Sequence, residues 1–139
     1  MTDSEPLTTL SAIIAAIEGE EAAVYAYGVA APRLSGDQSD LARGALAAHR
    51  LRIIVLRESL PPADQPAAPG GFLVDPPPDA AAAAALLATV EARLAATYAD
   101  LAAASSGDQR LDAVRSARES AVRSVAWGAP PEAFPGRGA

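Results

Sequence analysis

The run Glu18-Gly19-Glu20-Glu21-Ala22-Ala23-Val24-Tyr25-Ala26-Tyr27 sets three carboxylates and two phenols in a stretch whose other residues are almost all apolar. Acids in such company bind a metal, hold a proton or pair with a base, because a buried carboxylate left alone is costly. The pattern Glu, three residues, Ala-Ala, a β-branched residue, Tyr, Ala runs from Glu18 through Tyr25 and returns from Glu91 through Tyr98. His49 is the chain's one histidine, and Arg118 is the basic residue that periodicity turns inward. The candidate site is therefore Glu18 or Glu21, Tyr25, His49, Glu91, Tyr98 and Arg118, with Glu20 reading as a solvated acid. A buried guanidinium bridges two carboxylates through its planar fork, so Arg118 is expected to neutralise the acids in a hydrogen-bonded polar plug.

Four helices must position these groups. Helix A is predicted over 4–34, opened by Ser4 and Pro6 and marked by Leu7, Leu10, Ile14, Ile17, Glu21, Val24 and Gly28. Helix B, over 37–60, puts His49 on the stripe Leu46, His49, Ile53, Leu56, Leu60. Helix C, over 79–105, follows the cap Asp79 and turns Leu87, Glu91, Leu94, Tyr98 and Leu101 to one side. Helix D, over 108–127, shows Leu111, Val114, Arg118, Ala121 and Val125 on one face. The turns Ser35-Gly36-Asp37-Gln38 and Ser106-Gly107-Asp108-Gln109 match, so A-B and C-D are two versions of one antiparallel hairpin, offset by 71 to 73 residues.

Between the hairpins, the 18 residues 61–78 hold seven prolines and two glycines and cannot be helical. In extended form such a linker reaches about 55 Å, whereas helix B needs about 35 Å. It can run back along the bundle, pinned by Phe72-Leu73-Val74, so that helix C starts at the far end parallel to helix B. The tail 128–139 is expected to be extended, with Phe134 beside Trp127. The fold class is all-α, a single four-helix domain whose two hairpins are joined by one long crossover, the ferritin-like plan.

Composition removes whole classes of function. The chain of 139 residues carries a net charge of −6 and no cysteine, so nucleic acid, anionic membrane, disulfides and thiolate metal sites are not expected. The acidic start is unlike a signal peptide, and the run Ala80 to Ala88 is shorter than a bilayer span, which leads to the expectation of a cytoplasmic protein. No glycine-rich phosphate loop and no nucleophile with a base is present. Ile53-Ile54-Val55-Leu56 is apolar on every side of helix B, so a homodimer is expected to cover its outer face. A protein or small-molecule partner is left open.

Glu18 followed by Tyr25 and Tyr27 resembles the first helix of the rubrerythrin and ferritin-like superfamily. Ala22 to Gly28, His49-Arg50, the proline-rich crossover and Ala121 to Trp127 resemble, over essentially the whole chain, a bacterial ferritin-like family of unknown function. The superfamily resemblance implies a metal-ligating glutamate at Glu18, and the fold's di-iron sites use two single glutamates and two Glu-x-x-His pairs. This chain has Leu46 where helix B needs the acid, and only one histidine. The expectation is a noncatalytic binding or scaffold module without a cofactor, its di-iron site replaced by the plug. The alternative is a degenerate metalloprotein holding one Fe, Mn or Zn on Glu18 or Glu21, His49 and Glu91, with oxidase or storage chemistry.

Overall fold

A computed structural model of the chain describes residues 7–136. It is all-α: α1 (Thr9–Ala30), α2 (Gly36–Glu58), α3 (Ala80–Ala103) and α4 (Gly107–Ala126), with 3-10 turns at Ala31–Arg33 and Pro62–Asp64. Ser4 and Pro6 lie outside the described residues. Helix α1 starts at Thr9 because Thr8 and Ser11 cap each other's backbone amides reciprocally. Asp79 caps α3 by accepting from the Ala82 amide at 2.8 Å.

The two Ser-Gly turns have one geometry. Ser35 and Ser106 are extended (φ −148° and −145°), and Gly36 and Gly107 follow at φ +55° and +58°, a left-handed conformation that glycine adopts without strain. Each turn reverses the chain into an antiparallel hairpin.

The crossover runs back along the bundle. Arg57 Nη1 donates to Pro66 O at 2.9 Å near the end of α2, Phe72 packs on Tyr25 with ring centroids 5.4 Å apart, and Arg33 Nε donates to Pro77 O at 3.0 Å beyond α1. Helix α3 thus begins at the far end and is parallel to α2. Of the expected pin, Phe72 and Val74 are half-buried and Leu73 is fully exposed, since alternate side chains of an extended segment point opposite ways.

Helices α1 and α3 form the central pair, with α2 packed on α1 and α4 on α3. A lower core cluster contains Ile13, Ile17, Leu56, Leu60, Leu94, Leu101 and Ala113, and an upper one contains Leu34, Ala42, Ala45, Leu87 and Trp127. His49 and Glu91 fall between the two clusters along their helices, and Glu20 lies on α1 between Ile17 and Ala23 of the lower one. By length and composition α3 is apolar enough to span a membrane, yet here its Leu87, Glu91, Leu94, Tyr98 and Leu101 fill the interior of the bundle.

Two faces differ from those the periodicity predicts. In α1 the buried positions are Ala12, Ile13, Ala16, Ile17, Glu20, Ala23, Ala26, Tyr27 and Ala30, while Leu7 and Leu10 are exposed. This helix is apolar on all sides, so periodicity alone does not choose a face. In α4 the core face is Ala113, Ser116, Ser120 and Ser124, and the predicted face of Leu111, Val114, Arg118 and Val125 points outward. Size decides here: methyl and hydroxymethyl groups pack closely against the alanine-rich α3, which leucine and valine on that face would hold apart.

Candidate functional site

Six side chains, from α1, α2, α3 and the residue that caps the end of α4, join in one hydrogen-bonded chain. Trp127 Nε1 donates to the Tyr27 hydroxyl at 2.9 Å, and Tyr27 donates to Glu91 Oε1 at 2.7 Å. His49 bridges the two acids, with Nε2 2.6 Å from Glu91 Oε1 and Nδ1 2.5 Å from Glu20 Oε2. Tyr98 donates to Glu20 Oε1 at 2.5 Å and ends the chain. Glu20, His49, Glu91, Tyr27 and Tyr98 are each at most 1% exposed, so the acids, the imidazole and the phenols are shut off from solvent, while Trp127 is 5% exposed.

Charge fixes the protonation. Burial pulls the His49 pKa down, but the hydrogen bonds to Glu20 and Glu91 and their negative charges outweigh it and push it up to about 9. At neutral pH the ring is an imidazolium that donates from both nitrogens. Burial pushes both tyrosine hydroxyls far up, and Glu91 beside Tyr27 and Glu20 beside Tyr98 raise them further, so both remain protonated donors. Two carboxylates against one imidazolium leave one negative charge. Arg52 answers it: its guanidinium carbon lies 5.5 Å from the centre of the Tyr98 ring, and its charge opposes the rise of the Tyr98 pKa.

The sequence-predicted site residues divide. His49, Glu91 and Tyr98 meet in the cluster. Glu21 is half-buried and pairs with Arg57 Nη2 at 2.5 Å, outside it. Glu18 and Tyr25 are exposed, and Arg118 lies on the outer face of α4. In their places stand Glu20, Tyr27, Trp127 and Arg52. The periodic stripe favours Glu21 and leaves Glu20 outside, which is why Glu20 reads as solvated. The turn offset is the better ruler. Ser35 and Ser106 are 71 residues apart, and so are Glu20 and Glu91, and Tyr27 and Tyr98. The same offset takes His49 to the buried Ser120 and Arg52 to Arg123, whose charge acts on Tyr27 as that of Arg52 acts on Tyr98. The site is a pseudo-symmetric pair of Glu-Tyr-Arg sets, and the single imidazole breaks the symmetry.

Glu20, His49 and Glu91 are hard oxygen and imidazole donors of the kind that holds Fe, Mn or Zn. As arranged they do not fit a metal. The carboxylates sit on opposite nitrogens of one ring, whose in-plane directions diverge, and the ring carries the proton a ligand must lose. Among the described residues, no group of three His, Asp or Glu side chains converges on a point where an ion could sit. Among the described residues two buried side-chain atoms lack a hydrogen-bond partner, Arg52 Nε and Glu91 Oε2; Glu91 takes both Tyr27 and His49 on Oε1. A groove of about 730 Å³ between α3, Trp127 and the tail, lined by Ala85, Ala92, Arg93, Pro130, Glu132 and Gly136, does not include Glu20, Glu91 or His49 in its wall.

Comparison with known proteins finds one family over nearly all of the chain: a domain of unknown function, DUF4439, matches residues 12–139. The crystal structure of a conserved hypothetical protein, rv2844, from Mycobacterium tuberculosis is similar, with a TM-score of 0.78 and 27% identity over 89% of this chain and 97% of that one. No curated protein matches.

Proposed function

The chain belongs to the DUF4439 family, a domain of unknown function, and from the chemistry of its centre we propose that it is a noncatalytic bundle on the ferritin-like plan, acting as a binding or scaffold module. Its carboxylates are neutralised by an imidazolium and an arginine where relatives of that plan hold metal. The observation that carries this is His49 held between two acids, Nδ1 2.5 Å from Glu20 and Nε2 2.6 Å from Glu91, with all three side chains buried. A catalytic group must reach its substrate, and these do not.

Glu91 Oε2 favours a second reading, a single Fe, Mn or Zn on Glu20, His49 and Glu91. That arrangement requires the ring to give up a proton and turn. One preparation separates the two. Protein purified without chelator is analysed for metals and by proton NMR, where His49 is the only imidazole. The expected result is far less than one metal per chain and two downfield ring N–H signals at neutral pH. A stoichiometric metal with one N–H signal missing would overturn the proposal.

A further inference from the structure

Many of the large aliphatic side chains of the two outer helices face away from the core. On α4, Leu111 and Val122 are 61% and 69% exposed, with Val114 and Val125 beside them and Arg118 at the centre of the stripe. On α2, Leu51 is 60% exposed and Ile54 and Val55 lie next to it, whereas Leu56 is buried and Ile53 half-buried. These faces also carry charges with no use inside the chain. Among the described residues, Arg50, Glu58, Arg118 and Glu119 form no ion pair, while Arg43, Arg57 and Arg115 do.

The two stripes match in level as well as in kind. Ala42 shares the upper core cluster with Trp127, and Leu56 shares the lower one with Ala113. With α2 and α4 running in opposite directions, a register that sets Ala42 against Trp127 and Leu56 against Ala113 brings Arg50 near the level of Glu119, Leu51 near Arg118 and Val55 near Val114. A two-fold axis parallel to the bundle keeps every residue at its level and sets α2 of one copy antiparallel to α4 of the other. Arg50 then stands beside Glu119, Val55 rests on Val114, the Arg118 stem lies along Leu51, and Glu58 comes within a turn of Arg115. We propose that the outer faces of α2 and α4 form the interface of a homodimer in which each α2 pairs with α4 of the second copy. An anionic membrane is the poorer occupant, since it would meet Asp112, Glu119 and a chain of net charge −6.

The test uses the full chain. Sedimentation at micromolar concentration should give twice the 14.0 kDa chain mass. Leu51→Glu with Val122→Glu should give the monomer mass with unchanged helicity. Arg50→Glu should weaken association roughly tenfold, and adding Glu119→Arg to the same chain should restore it. The chain has no cysteine, so an equimolar mixture of Val55→Cys and Val114→Cys proteins should form a disulfide-linked pair under mild oxidation, with little from either protein alone. A monomer at every concentration, a dimer that survives the glutamate variants, or a charge swap without rescue would each overturn the proposal.

Discussion

Tyr27 and Tyr98 stand 71 residues apart, and each donates its hydroxyl proton to the glutamate of the opposite hairpin: Tyr27 to Glu91 and Tyr98 to Glu20. The two halves of the bundle are thus tied across its centre by two equivalent bonds, with His49 as a third tie from α2 to both glutamates. A connected buried network favours one arrangement of helices, because separating the hairpins leaves Glu20 and Glu91 without these donors.

Removing either phenol hydroxyl tests these ties. Tyr27→Phe and Tyr98→Phe should each cost about 1–3 kcal/mol, the range for a buried charged acceptor that loses a donor. Tyr27→Phe should cost more, because it also strips the Trp127 Nε1 donor of its acceptor. Urea midpoints at neutral pH measure both, and equal, near-zero shifts would show that the hydroxyls hold nothing.

His49 gives stability a pH dependence of known sign. Its pKa rises from 6.5 to about 9 on folding, so the folded state binds the proton more tightly than the unfolded chain does. The stability it contributes is complete below about pH 6.5 and is lost as pH rises through about 9, an effect on the order of a few kcal/mol. Melting temperature should therefore fall between pH 7 and 10. In His49→Gln, which takes the imidazolium from between two buried acids, the protein should be less stable at pH 6 and that alkaline slope should flatten.

Arginine placement separates the site from the surface. Arg52 is half-buried beside Tyr98, and its Nε has no hydrogen-bond partner among the described residues. Arg52→Leu should cost about 1–2 kcal/mol through loss of the cation over the ring and of the balancing charge. Arg118→Leu, on an exposed face, should leave monomer stability within about 0.5 kcal/mol. Chemical denaturation of the two variants side by side decides between an interior and an exterior Arg118.

Much of the fold was legible because its signals are local. Proline crowding ends α2, Asp79 starts α3, and the paired Ser-Gly turns force two hairpins. The face of α3 was legible too, since its leucines and Tyr98 are confined to one stripe around Glu91. The faces of α1 and α4 were not, for different reasons. Alanine and isoleucine surround α1, so hydrophobicity does not distinguish Glu20 from Glu21. In α4 the closely packed face is made of serine and alanine, and apolarity points to the wrong side. The Glu18 to Tyr25 pattern aligns with Glu91 to Tyr98 only by a shift of two residues against the turns, whereas Glu20 and Tyr27 keep the 71-residue offset the turns set. A tertiary repeat anchored on matched turns outweighs a local likeness of composition.

That register can be tested on neighbouring acids of α1. Glu20 is 1% exposed and accepts from His49 and Tyr98, whereas Glu18 is exposed. Glu20→Gln removes one of the two negative charges that hold the proton on His49, so its pKa should fall by about 1–2 units. The sign follows from the balance already present: burial alone drives the ring toward the neutral form, and with one carboxylate gone less opposes it. The alkaline loss of stability should then begin at lower pH, and the midpoint in urea at pH 6 should drop. Glu18→Gln should change neither. The readouts are the His49 ring proton shift followed by NMR from pH 5 to 10 and the denaturation midpoint at each pH. If Glu18→Gln moved the titration and Glu20→Gln did not, the central acid would be Glu18 and the 71-residue offset would have no structural meaning.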